Sequence, residues 1–330
     1  MTIAFLTRTN CTRRQSAMKG KMLLLIVGAC VQFFVVSDLW AQNALLSEWY
    51  VDNGKRAARE HRFDEAEEHY FAALREAPDS NPRLADSIVS LAQLYVAQGK
   101  PKAAERLLKR TLAIQERTLG PGHPAVADNL NNLGIIYHDQ KKYEAAARLH
   151  TQALAIQEKA LGPEHPDVAA TLNHLGVQET ALGKYEVAER LYARALAIQE
   201  KALGLEHPDV AATLNNLAVL YENQKRYAEA EDLHMRALAI QEKYFGPEHP
   251  EVAESLTNLA NLYQVLGWYG EAEPLYTRAL AIQEKSLGPE HPRVAATLDN
   301  YGALLRAMKH PDEAEQFTAR AKAIRSKQGS

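Results

Sequence analysis

Five histidines stand 42 residues apart, at His123, His165, His207, His249 and His291, and a proline follows each. Imidazole is a common metal ligand, so this row is the first feature of the chain that suggests chemistry. Repetition itself argues against a shared metal. Equivalent points on stacked helices lie ~8–10 Å apart or more, whereas zinc–nitrogen bonds are about 2 Å. A histidine before a proline at a helix start instead ends a loop and helps cap the helix. Other catalytic signatures are missing: there is no Gly-rich phosphate loop, no His-Glu-x-x-His and no Gly-x-Ser-x-Gly. Repeated acidic groups, as in Gln157-Glu158-Lys159, read as a solvated helix face. The sequence calls for no catalytic residue, no metal and no cofactor.

The elements that position these residues follow from the same period. An Ile-Gln-Glu core begins at Ile114, Ile156, Ile198, Ile240 and Ile282. A fixed period of 20–50 residues marks a solenoid of stacked units. Within one period, Val210, Leu214, Leu217, Ala218 and Tyr221 recur at helical steps over Pro208 to Gln224. Asn223-Gln224-Lys225-Arg226 breaks the pattern, and Ala230, Leu233, Ala237, Leu238 and Ile240 resume it over Tyr227 to Phe245. Gly246 is expected to form a left-handed cap, and Pro250 to open the next helix. Gly134, Gly176, Ala218, Ala260 and Gly302 share one place on the first helix. Ala104, Ala146, Ala188, Ala230, Ala272 and Ala314 share one on the second. Small residues there let two helix axes approach. Tyr95, Tyr137, Tyr221 and Tyr263 fill the remaining volume.

Leu214-x-x-Leu217-Ala218-x-x-Tyr221, with Ala230 and Ala237, resembles the tetratricopeptide repeat. The 42-residue period, with Ala-Leu-Ala-Ile-Gln-Glu and Gly-Pro-Glu-His-Pro, is similar to the repeats of kinesin light chains and their bacterial relatives. The resemblance covers about 46–326 and implies an all-α, right-handed superhelical solenoid of about seven hairpins. Divergent repeats occupy 46–123, regular repeats 124–308, and a capping helix with a tail 309–330. Glu179 departs from the packing tyrosine, which either loosens the 166–201 hairpin or offers a carboxylate to a ligand. Lys322 replaces the leucine of earlier units, as suits a terminal helix with no neighbour.

The resemblance also implies that first helices line a concave groove. There fall Asn131-Asn132, Asn173-His174, Asn215-Asn216, Thr257-Asn258 and Asp299-Asn300. Amides both donate and accept, so the ladder suits an extended backbone, or equally the bonding of one hairpin to the next. One residue of each pair is expected to face the groove and the other the junction. On the binding reading, alanine at Asn131, Asn173 and Asn215 leaves the fold intact; on the structural reading it unfolds the chain. Nearby, His138, Thr180, Glu222, Gln264 and Arg306 vary as a specificity surface would. The paired lysines and arginine of a carboxylate clamp are absent from these helices.

Residues 1–41 read as a signal peptide, with Lys19 and Lys21 before the 15 apolar residues Met22 to Val36, and a cut after Ala41. Met18 is the expected start. A retained membrane anchor is the alternative. Without this leader the net charge falls from −3 to −7, from 33 basic and 40 acidic side chains. That balance argues against nucleic acid. Both cysteines, Cys11 and Cys30, lie in the leader, so the remainder has no disulfide or cysteine nucleophile. The expectation is an exported, periplasmic or secreted, non-catalytic scaffold that binds a protein or extended peptide. A self-associating spacer or a membrane-held adaptor is the alternative.

Overall fold

The computed structural model describes residues 45–58, 60, 62–76 and 82–328. The expected signal peptide over 1–41, with both cysteines, lies outside them. All regular structure among the described residues is helical. Helix α1 covers 45–58. It is followed by α2 (Phe63–Glu76), α3 (Pro82–Ala97), α4 (Pro101–Thr118), α5 (Pro124–Asp139), α6 (Tyr143–Leu161) and α7 (Pro166–Ala181). Then come α8 (Tyr185–Leu203), α9 (Pro208–Asn223), α10 (Tyr227–Phe245), α11 (Pro250–Leu266), α12 (Tyr269–Leu287), α13 (Pro292–Ala307) and α14 (Pro311–Gln328). The helices follow one another as seven consecutive pairs, and in α5–α6, α7–α8, α9–α10, α11–α12 and α13–α14 the two members pack together as the stacked hairpins of a solenoid. No described helix is long and apolar enough to cross a membrane.

Two compact units, Met1–Ile88 and Val89–Ser330, divide the chain inside α3. In the first, Val51 and Ala57 of α1 and Ala66, Tyr70, Phe71 and Leu74 of α2 are buried. A β-carbon on Gly54 would come within 2.4 Å of the Tyr70 ring, so glycine is what lets α1 and α2 approach there.

The second unit repeats one small core at each step. Val210, Ala211 and Leu214 of α9 meet Ala237 and Ile240 of α10, with Leu196 of α8 packed against them. The same places recur around Leu172, Leu256 and Leu298. Burying a leucine as fully as Leu214 is worth about 1.5–3 kcal/mol. Lys322 is exposed on α14, where no further hairpin follows among the described residues.

The repeated histidines are capping residues. Nδ1 of His165, His207 and His291 accepts the backbone N–H two residues on at 3.2 Å, while His123 and His249 do the same at 3.2 and 3.3 Å. Gly246 differs in detail from the expected left-handed cap. Its φ is 88° but its ψ is 157°, an extended conformation of positive φ that glycine alone adopts readily. Left-handed φ occurs instead in the turn within each hairpin, at Lys141, Lys225 and Lys309, with glycine at the matching 183 and 267. A lysine there costs about 1–2 kcal/mol relative to an ordinary helical conformation.

The Ile-Gln-Glu core divides between interior and surface. Gln157 is 1% exposed and accepts from the Thr171 hydroxyl at 2.6 Å, and Gln199 accepts from Thr213 at 2.8 Å. The adjoining glutamates do face outward, where Arg194, Arg236 and Arg278 pair with Glu158, Glu200 and Glu242 at 2.7 Å. α7 runs unbroken past Glu179 to Ala181.

Candidate functional site

Within the second unit, successive first helices α5, α7, α9, α11 and α13 also approach each other. Successive second helices show no approach of comparable extent. Short side chains span the first-helix side, as in the 2.9 Å bond from Asn216 to Asn173. The second-helix side needs long arginine–glutamate pairs to reach across. The first-helix face is therefore the tighter, inner face of this unit, and it carries every candidate residue.

The amide pairs separate into two columns. Asn131 donates to the Thr171 hydroxyl at 2.6 Å, and its Oδ1 lies 2.9 Å from His150 Nδ1. Asn215 repeats this with Ser255 at 2.7 Å and His234 at 2.8 Å, and is itself buried. Each ties its first helix both to its own second helix and to the next hairpin. Asn173 accepts from Asn216 instead. Thr257 bonds back to the Ala253 carbonyl, and Asp299 pairs with Arg325. In the second column, Asn132, Asn258 and Asn300 are half-buried and make no side-chain hydrogen bond among the described residues. His174 stacks on His150, with ring centroids 5.4 Å apart. Beside this column, Ile135 and Val219 are exposed, and Val177 half-buried.

The variable column is set partly from behind. Glu222 meets His234 Nε2 at 2.9 Å, and Gln264 accepts from the Tyr276 hydroxyl at 3.0 Å. Arg306 donates to Thr318 at 2.5 Å, and Thr180 lies 3.5 Å from the Tyr192 hydroxyl. His138 breaks the series, because its Nδ1 goes to Gln178 Oε1 at 3.0 Å. His150 Nε2 is left buried without a hydrogen bond. Burial, and after it the charges of His174 and His138, holds the His150 imidazole at about 3. Burial pushes His174 down as well, and Tyr192 up to about 12.

Sequence reasoning misses these second-helix partners. A β-carbon on Gly134 or Gly176 would stand 2.5 or 2.6 Å from the ring of His150 or Tyr192 as they are placed here. The available signal is a histidine or tyrosine sixteen places after the small residue in four of the five repeats, at His150, Tyr192, His234 and Tyr276. No group of three histidine, cysteine or acidic side chains able to hold a metal occurs among the described residues.

The tetratricopeptide repeat family model matches residues 83–159, 149–201, 167–243, 209–281 and 255–327, well over half of the chain. The chain belongs to the tetratricopeptide repeat family. It is similar to a singly substituted form of a Podosopora anserina putative kinesin light chain with nearly identical repeats. Identity is 34%, over 61% of this chain and 95% of that one, with a TM-score of 0.50. BtubC (BKLC) from P. vanneervenii shares 24% identity over 72% of this chain and 92% of its own, with a TM-score of 0.53. A Rap protein complexed with competence and sporulation factor shares the fold at 17% identity, over 86% and 76% of the two chains, with a TM-score of 0.59. No curated protein matches the chain. The repeats of this tetratricopeptide protein are thus of the kinesin-light-chain-like type, the type to which its period points.

Proposed function

We propose that this protein is a non-catalytic scaffold that holds an extended peptide segment, or a partner protein presenting one, on its first-helix face. The observation that carries this reading is the second amide column. Asn132, Asn258 and Asn300 leave donors and acceptors unspent beside exposed Ile135 and Val219. Amides pair with a peptide backbone, and the apolar neighbours take its side chains. His174, Asn216 and the outward parts of His138, Glu222, Gln264 and Arg306 adjoin the same row. The Rap complex gives the fold a precedent for a bound factor.

The test is affinity capture with the wild type and with Asn132→Ala/Asn258→Ala/Asn300→Ala. The variant keeps its helical circular dichroism and melting temperature, because these amides support no internal bond. A partner held by the wild type and lost by the variant is the expected result. An identical catch from both would overturn the reading.

The same proposal places the protein outside the cytosol. Its support is the basic and apolar leader over 1–41. N-terminal sequencing of the protein from its own cells is expected to begin at Gln42; a sequence retaining Met22 to Val36 would establish an anchor instead.

A further inference from the structure

One contact recurs at three of the five junctions between hairpins of the second unit; at α12–α13 Leu305 takes the tyrosine's place and Tyr301, four residues earlier, donates to Glu273 at 3.3 Å. Tyr137 of α5 donates its hydroxyl to Glu105 of α4 at 3.0 Å. Tyr221 of α9 donates to Glu189 of α8, and Tyr263 of α11 to Glu231 of α10, both at 2.9 Å. The residue five places on covers the ring. Lys142 Nζ lies 4.9 Å from the Tyr137 centroid, the Arg226 guanidinium 3.7 Å from that of Tyr221, and Trp268 packs on Tyr263 at 5.5 Å.

At the junction of α6 and α7 both members of the pair are replaced. Glu179 stands in the tyrosine's position and Ala147 in the glutamate's, while the covering cation persists as Lys184. Both replacements remove side-chain volume from one place. A groove of about 500 Å³ lies there, with Ala147, Thr151, Glu179, Leu182 and Lys184 in its lining. The corresponding groove between α4 and Lys142, about 460 Å³, is similar in size but lined by long charged side chains alone. Lys184, with no ring to cover, sits 2.9 Å from Glu179 Oε2 in an ion pair whose geometry falls short of a hydrogen bond.

We propose that this groove binds an aromatic side chain, tyrosine foremost, presented by a partner peptide. The bound ring would restore between molecules the contact the chain makes within itself at three other junctions. Ala147 and Leu182 offer apolar surface to the ring. Lys184 covers its face, as Lys142 and Arg226 do elsewhere, and a cation there attracts the ring's negative quadrupole. Glu179 accepts from a phenol hydroxyl or peptide N–H at the edge, a charge-assisted bond. Glu144 and Arg148 add one charge of each sign, so the lining is balanced and favours an uncharged group. This site is separate from the amide column, and either can fail without the other.

The probe is N-acetyl-tyrosinamide, titrated into the full chain while the methyl signals of Ala147 and Leu182 are followed by NMR. Saturable shifts at these two methyls are expected, with N-acetyl-leucinamide producing shifts at least about tenfold weaker. Lys184→Ala is expected to weaken binding about threefold or more by removing the cation. Glu179→Tyr/Ala147→Glu restores the internal pair; expected are a melting temperature no lower than wild type and loss of the shifts elsewhere in the groove, at Leu182. Should that double variant fail to fold, Ala147→Glu alone fills part of the floor and is expected to abolish the Leu182 shift. No saturable shift in the wild type, or equal response to the leucine and tyrosine probes, would overturn the proposal.

Discussion

Asn215→Ala is expected to cost about 2–4 kcal/mol of folding stability, while Asn216→Ala, one residue on, costs less than about 1 kcal/mol. Asn215 is 7% exposed, and its two bonds reach different helices, to Ser255 at 2.7 Å and to His234 at 2.8 Å. Alanine removes both bonds and leaves a hydroxyl and an imidazole nitrogen buried without their partner, which is the expensive half of losing a hydrogen bond. Asn216 makes one bond, to half-buried Asn173, and water replaces the lost partner there. Urea unfolding of the two single variants gives the comparison directly. Equal costs would refute the junction role of Asn215. The same reasoning applies to Asn131, which bridges Thr171 and His150. Alanine at Asn131 and Asn215 together therefore attacks two junctions, so such a variant reports on folding and is unsuited to testing binding. The amides of the second column serve that purpose.

The second large effect is loss of stability in acid through His150. Its imidazole is fully buried, stacks on His174, and titrates at about 3 in the folded protein. Burial is the main cause, followed by the neighbouring His174 and His138. In the unfolded chain a histidine titrates at about 6.5. The folded value is depressed, so the stabilisation is fully present above about pH 6.5 and declines as pH falls toward 3. Between those limits the unfolded state binds a proton that the native state excludes, and the slope is ~1.4 kcal/mol per pH unit. About 3 kcal/mol is thus expected to be lost between pH 6.5 and pH 4 from this residue. His150→Tyr with His138→Thr copies the Tyr192–Thr180 pair of the next hairpin against Gly134, the counterpart of Gly176. Thermal melts of wild type and this double variant at several pH values over that range measure the difference. A wild-type slope no steeper than the variant's would remove His150 as the cause.

Both effects arise from residues whose roles the sequence leaves open or silent. The asparagine pairs are visible as a ladder, but their two columns differ only in direction. Positions 131 and 132 are about a hundred degrees apart around one helix. Which of them meets Thr171 depends on a hairpin 40 residues away. The glutamine of the Ile-Gln-Glu core is left unread for the same reason. Beside charged neighbours it has the look of a surface residue, yet a hydroxyl one helix away takes it into the interior. The boundary within α3 is likewise invisible in sequence, since it reflects how densely segments contact one another.

The sequence alone determined the class of fold, the helix boundaries, the capping role of the repeated histidines and the need for small residues where helices meet. These depend on residues a few places apart, and five near-identical periods state each rule five times. Tertiary structure decided which amides join one hairpin to the next, what the variable column meets on the second helices, and what lines the groove beside Glu179. Those are properties of junctions, created when one hairpin is laid on the next. A side chain's partner there is chosen by stacking geometry, and a residue's type and local spacing do not fix that geometry.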